Sequence, residues 1–300
     1  MGELDNKLII IMEGGMGNKF GCLHYALQLA KECGKEPIVN NVRNIYGDVG
    51  FHDLFSKDNN IEVWENTYGG LDKKLPSNIP FLIHKGYFKF NPEREVTFHR
   101  GMDHDTIKKY IKSKNSCVYL TDSNWDYMDL MAQSAKELKI NKNVLEKVNT
   151  FCSDNNINKD VFGIHIRTGE FYDNEQQIQN AINSVYGLIQ GKISDNSNVK
   201  IFVCSDNEDV ENDLRKQLPD NIITLEKYHY TKKSVEGTWR ESVADVDGRV
   251  FPYNVNRTPE TVIEGFLDML ILSRTNILTD SLSSFLFFAK IYSKLDKLGE

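Results

Sequence analysis

His165 and Arg167 stand two residues apart at the end of the apolar run Val161-Phe162-Gly163-Ile164-His165-Ile166-Arg167. Side chains alternate along a strand with period two, so the imidazole and the guanidinium share one face. A guanidinium in that position can grip a diphosphate through parallel hydrogen bonds and stabilise the charge that develops on a leaving group, without a metal. An arginine ending an apolar strand is costly unless partnered, so Arg167 either holds an anion or forms an ion pair with Glu170 or Asp206. His165 is open to a binding role or to a satisfied place in the core.

Three other loops carry groups of the same kind. Gly14-Gly15-Met16-Gly17-Asn18 lies where an apolar run meets a helical pattern; small residues there let a ligand approach the backbone, and the helix N-terminus attracts an anion. A Walker loop is excluded because Lys19 is followed by Phe20, and the dinucleotide fingerprint needs glycine at that same position. The alternative is a tight turn that needs positive φ. Cys204-Ser205-Asp206-Asn207 ends another apolar run, where Asp206 can bond a base or ribose, or Ser205 or Asp206 can cap a helix. Asp280-Ser281-Leu282-Ser283-Ser284-Phe285 offers hydroxyls and amides to a phosphate at a helix start. Asp103-His104-Asp105 and Asp245-Val246-Asp247 have the acidic spacing of metal-dependent sugar transfer, but neither follows a buried apolar strand, so both read as solvated loops. The stretch from Lys227-Tyr228-His229-Tyr230 to Trp239-Arg240 either faces a sugar or packs as a surface loop.

The elements that position these loops follow from periodicity. Leu8-Ile9-Ile10-Ile11-Met12 reads as a strand buried on both faces, and Phe20, Leu23, Leu27 and Ala30 recur at helical spacing as far as the C-cap glycine Gly34. Strands are expected at 36–40, 118–120, 161–167, 200–204, 222–225 and 277–279. Helices are expected over most of 127–155, then at 176–190, 210–217, 258–273 and 283–295, with Pro259 in a first turn. Residues 61–100 mix turn residues with brief apolar runs and are left unassigned. The polar run Ser153-Asp154-Asn155-Asn156 reads as a linker, dividing the chain into residues 1–156 and 157–300. Strands alternating with helices in both halves imply two parallel sheets, whose ligands sit beyond the strands' carboxyl ends.

Composition narrows the function classes. The 300 residues are 40% hydrophobic and 26% charged, an ordinary globular balance that can bury a core, and the length favours two domains. A net charge of -7 argues against a general nucleic-acid binder, which needs a basic face. Five scattered cysteines lack the spacing of a zinc site and fit buried, reduced thiols in a cytoplasmic protein. Asn6 stands where a myristoylation signal needs Ser or Thr, and no apolar stretch approaches the ~20 residues of a membrane span, so neither targeting nor a span is expected.

Together the four loops resemble the GDP-fucose-dependent fucosyltransferases, the superfamily of α-1,2-, α-1,6- and protein O-fucosyltransferases. Gly14-Gly15-Met16-Gly17-Asn18 with Tyr25-Ala26-Leu27 is similar to the family's Gly-Gly-x-Gly-Asn loop and helix, and the length is similar to that of bacterial α-1,2 enzymes. His165-Ile166-Arg167 resembles its His-x-Arg-Arg-x-Asp motif, while Cys204-Ser205-Asp206 and residues 264–285 resemble its later motifs. The chain departs from the pattern at Thr168, in place of the second arginine, at Glu170, in place of aspartate, and at Ser281-Leu282. The resemblance implies a GT-B fold of two Rossmann-like domains facing across a cleft, with the acceptor on the first and the GDP-sugar donor on the second. It also implies a metal-independent, inverting reaction with no cofactor beyond the donor. Donor-binding residues are then expected at Gly15, Gly17 and Asn18, at His165, Arg167 and Glu170, at Asp206, and at Ser283, Ser284 and Phe285. Arg167 is the expected catalytic clamp, with Glu175 or Glu13 as general base. A transferase using another nucleotide sugar such as GDP-mannose, and a nucleotide- or carbohydrate-binding protein without turnover, are the alternatives.

Overall fold

The computed structural model describes residues 4–12, 15–43, 49–67, 81–84, 95–98, 103–120, 127–168, 175–230, 232–233, 242–244, 250–252, 255–256, 258–279 and 283–295. The described residues divide into two compact units, one running through Asn141 and the other starting at Lys142.

The first unit runs β1 (Lys7–Met12), α1 (Met16–Cys33), β2 (Glu36–Arg43), α2 (Phe51–Leu54), β3 (Glu62–Thr67), β4 (Phe81–His84), β5 (Glu95–Phe98), α3 (His104–Ser113), β6 (Cys117–Leu120) and α4 (Met128–Glu137). Its sheet has six parallel strands in the order β3-β2-β1-β6-β4-β5. Leu8 to Ile11 are fully buried, as a central parallel strand covered on both faces requires. The helix α1 is buried on most sides, against β1, α3 and α4, and even its polar Lys19, His24 and Gln28 are covered. Burial brings the His24 imidazole down to about 3, so it stays neutral. The helix ends at Gly34, whose left-handed φ of 66° lets its N–H reach the Ala30 and Lys31 carbonyls.

Residues 61–100, without assigned elements in the sequence reading, contribute three strands of this sheet. The single helical stretch expected over 127–155 is two helices. Between them Ile140 leaves the helical path to pair with Phe55, and Asn141 N–H reaches the Leu54 carbonyl at 2.9 Å.

The second unit runs α5 (Lys142–Asp154), β7 (Phe162–Ile166), α6 (Glu175–Asp195), β8 (Ile201–Ser205), α7 (Glu208–Gln217), β9 (Ile222–Ile223), β10 (Lys232–Lys233), β11 (Ser242–Ala244), β12 (Val250–Pro252), β13 (Val255–Asn256), α8 (Pro259–Ser273), β14 (Asn276–Ile277) and α9 (Ser284–Ser293). Four parallel strands lie in the order β14-β7-β8-β9, beside two small antiparallel pairs, β10-β13 and β11-β12. The helix α5, whose last residues are Ser153 and Asp154 of the expected linker, packs on α8 within this unit.

Period two divides β7. Ile164 and Ile166 join the apolar cluster that includes Ile189, Val203, Val210 and Leu214 on the α6 and α7 side. Gly163 and His165 face the other way, toward Thr275 after α8 and Phe285 on α9. At Gly163 neighbouring side chains fill the space that a side chain would take: a Cβ there would lie 1.9 Å from Thr275 Oγ1 and 2.7 Å from Leu272 Cδ1.

Candidate functional site

In open parallel sheets the crevice where the winding direction changes, beyond the strands' carboxyl ends, is where ligands sit. In the first unit β2 and β3 lie to one side of β1 while β6, β4 and β5 lie to the other, and the glycine loop follows β1 at that point. In the second unit β8 and β9 extend from one side of β7 and β14 pairs with the other. His165 lies near the end of the strand at the switch point and Arg167 just past it, and Thr279, after β14, is bonded to His165.

Helix N-termini in the structure differ in how they are capped. Asp103, Asn207 and Thr258 each accept a backbone N–H from the first turn of α3, α7 and α8. Neither Gly15 on α1 nor Ser283 on α9 makes a side-chain cap, and neither helix has an acidic residue in its first turn. N–H groups left without a capping side chain are suited to an anion. Ser283 is 7% exposed, and its Oγ has no hydrogen-bond partner among the described residues. Gly15 has φ -70°, in the extended region, and Gly34 is the described glycine with positive φ. At Gly15, then, backbone conformation does not demand glycine.

The His165 ring stacks on Phe285 with centroids 4.4 Å apart and planes 17° from parallel. Its backbone N–H donates to Thr279 Oγ1 at 3.2 Å, linking β7 to the residues after β14. Burial lowers the His165 imidazole to about 3; Asp206 opposes this, and the Arg167 and Lys227 cations add to it. His165 therefore enters any chemistry near neutral pH uncharged. Asp206, after β8, accepts the Thr168 N–H at 2.8 Å and the Thr168 hydroxyl at 3.1 Å. Thr168, at the position where the resembled motif has its second arginine, is buried and bonds the carboxylate that follows the next strand. Arg167, Asp206, Ser284 and Phe285 each keep part of their surface exposed, as groups that meet a ligand must.

The structure thus gathers His165 and Phe285 directly, with Arg167 and Asp206 in their electrostatic neighbourhood and Ser283 and Ser284 at the α9 start. Gly15, Gly17 and Asn18 belong to the other unit. Glu13 and Glu170 lie outside the described residues, as do Gly14 and the Asp245-Val246-Asp247 pair; Glu175 opens α6, but its side chain lies outside the description. The expectation that Ser205 or Asp206 caps α7 is corrected: Asn207 does, accepting the Asp209 N–H at 2.9 Å, because it immediately precedes the first turn. Asp103 caps α3 through the Thr106 N–H and hydroxyl, and Asp105 lies 3.7 Å from Lys108. Among the described residues no three His, Cys, Asp or Glu side chains are grouped to hold a metal, and no helix is long and apolar enough to cross a membrane. All five cysteines are free thiols, and Cys22, Cys117, Cys152 and Cys204 are buried.

A buried charge cluster that local sequence patterns did not reveal lies under the β8 end. The Lys227 ammonium donates to Glu211 Oε1 at 2.6 Å and Asp268 Oδ2 at 2.7 Å. Asp268 is 3% exposed, and its second oxygen, Oδ1, has no partner among the described residues. Burial raises the Asp268 carboxyl to about 7, with Lys227 opposing and Glu211 and Glu264 adding. Burial alone would lower Lys227; the two carboxylates outweigh it and hold the ammonium above its ordinary range. An acidic residue inside the apolar helical run Phe266-Leu267-Asp268-Met269-Leu270 was the available signal.

The chain is an α/β protein of two parallel-sheet units. Solved structures that share this GT-B fold include fucosyltransferases. The fucosyltransferase NodZ from Bradyrhizobium is 14% identical over 95% of this chain and 92% of its own, with a TM-score of 0.60. NodZ, described as an α-1,6-fucosyltransferase, was also solved after soaking with GDP-fucose, and there the TM-score is 0.58. POFUT1 in complex with GDP-fucose is 13% identical over 98% of this chain and 96% of its own, with a TM-score of 0.55. No protein-family model matches the sequence, and no curated protein matches it.

Proposed function

We propose that the protein is a fucosyltransferase, moving fucose from GDP-β-L-fucose to a hydroxyl of a glycan acceptor. The second unit, which starts at Lys142, forms the donor side and the first unit the acceptor side. One observation carries the reading: a neutral His165 stacked on Phe285, near Arg167, and a Ser283 hydroxyl with no partner among the described residues at a helix start without a side-chain cap, in a fold shared with proteins solved with GDP-fucose. Arg167 holds the β-phosphate and offsets the charge that grows on the departing diphosphate, a task that needs no metal. Ser283 and the α9 N-terminus add neutral donors, and Asp206 contacts the nucleoside. Transfer inverts the anomeric carbon by in-line attack, with Glu175 or Glu13 as general base. The proposed linkage is α-1,2 to galactose, which the resemblance to bacterial α-1,2 enzymes implies, and the proposed setting is cytoplasmic, which five free thiols favour.

Asp268 is an acceptor compatible with guanine. A base held in a pocket is read along its Watson–Crick edge, and guanine presents N–H donors there that a carboxylate accepts. Oδ2 is held by Lys227, and Oδ1 is the oxygen left to accept.

Calorimetry tests the reading. GDP and GDP-fucose are expected to bind with affinities that a chelator leaves unchanged. The carboxyl of Asp268 titrates at about 7 when folded against an ordinary 3.8, so its contribution to stability is full below the unfolded value and is lost as pH rises through the folded one. Binding uses the ionised form and has the opposite sign: GDP affinity rises, by roughly several-fold between about pH 6 and 8. Asp268→Asn is expected to weaken binding and flatten that profile. Failure of GDP to bind, or binding only with Mg²⁺, would refute the scheme.

A further inference from the structure

The cluster under β8 grips Ser205 by both of its backbone groups. Ser205 N–H donates to Glu211 Oε1 at 2.6 Å, and the Ser205 carbonyl accepts from Lys227 Nζ at 2.7 Å. Glu211, fully buried, also accepts the Tyr230 hydroxyl at 2.7 Å. The Lys227 side chain is 4% exposed, and its three donors are divided among Glu211, Asp268 and the Ser205 carbonyl. Those partners come from α7, α8 and β8, so one ammonium sets the distances among three elements.

Stability alone does not account for this arrangement. Two carboxylates and one ammonium out of water leave a net negative charge when all are ionised, and apolar side chains of similar volume often stabilise as much as a buried ion cluster. What the cluster supplies is position. Ser205 ends β8 and Asp206 follows it, and Lys227 engages one oxygen of Asp268 while the other stays without a partner among the described residues.

We propose that Lys227 is a positioning residue for the nucleotide, fixing the β8 end that presents Asp206 and orienting Asp268 so that its second oxygen faces the base. This rests on the reading of the second unit as the nucleotide site. Lys227 touches no reacting atom; it acts through Ser205 and Asp268.

Three variants test it by calorimetry with GDP and by thermal melting. Lys227→Met leaves two buried carboxylates without their cation and is expected to melt well below the parent. Adding Glu211→Gln removes one of those charges and recovers much of the loss. The double variant, though folded, is expected to bind GDP about tenfold or more weakly, the scale of losing a charged hydrogen bond that orients a ligand group. Lys227→Arg retains the charge but replaces a compact three-donor head with a planar fork, and is expected to fold and still bind GDP several-fold more weakly. In both, the pH dependence of GDP affinity should shift, because Asp268 loses its usual partner geometry. A merely structural role would restore GDP affinity together with melting temperature; parental affinity and pH profile in either folded variant overturn the proposal. If the unaltered protein binds no GDP, the nucleotide reading itself fails and this inference falls with it.

Discussion

Arg167→Ala is expected to lower sugar transfer by on the order of 10²–10³-fold or more, the usual consequence of deleting one preorganised donor to a developing negative charge. The loss should fall chiefly on kcat, because charge on the diphosphate is greater at the transition state than in the bound donor. Melting temperature should change little, since Arg167 lies past the last residue of β7 and keeps part of its surface exposed. Arg167→Lys should recover only part of the activity, as a point charge cannot reproduce a bidentate clamp. Steady-state kinetics with GDP release as the readout, together with circular dichroism, separates chemistry from folding. Wild-type turnover by Arg167→Ala would remove the clamp from the mechanism.

Gly163→Ala should damage the protein through packing. The added Cβ would sit 1.9 Å from Thr275 Oγ1, 2.7 Å from Leu272 Cδ1 and 3.0 Å from Thr275 Cβ. These neighbours have no room to yield: Leu272 is fully buried, Thr275 is 1% exposed, and the Thr275 hydroxyl is bonded to the Leu272 carbonyl at 2.7 Å. Overpacking of this kind costs about 3 kcal/mol or more, which should lower the melting temperature of the second unit by roughly 6–12 °C. Activity should fall as well, since relief of the clash must displace β7 from β14, and His165 is bonded across that boundary to Thr279. Gly187→Ala and Gly191→Ala provide the contrast. Both lie in α6 with nothing within 4 Å of an added Cβ, so they should be neutral or stabilise by about 0.5–1 kcal/mol. Equal melting temperatures for Gly163→Ala and the parent would show that the close approach is not there.

Local chemistry carries far along this chain. The run Leu8 to Met12 is a buried strand because its residues are apolar and branched. The helix after it stops at Gly34 because only a residue without Cβ takes that φ cheaply. Thr258-Pro259 opens α8 for reasons legible in the two residues themselves, a capping hydroxyl and a fixed φ. Candidate site residues were also legible where a polar group ends an apolar run: His165 and Arg167 at β7, Asp206 after β8, and Ser283 before α9.

Other features depend on partners far away in the chain. The helix break at Leu138 to Asn141 answers to Phe55 and Leu54, about which residues 127–155 say nothing. Lys227 meets Glu211 and Asp268, 16 and 41 residues away, only because β8, α7 and α8 converge beneath one strand end. The placement of β14 beside β7, which creates the switch point, is likewise a matter of strand order and leaves no local pattern. Periodicity and capping are written in neighbouring residues because they depend on φ, ψ and side-chain direction. Which carboxylate shares a buried cation, and which glycine lies against which threonine, depends on strand order and packing, and these come into being only when the chain is folded.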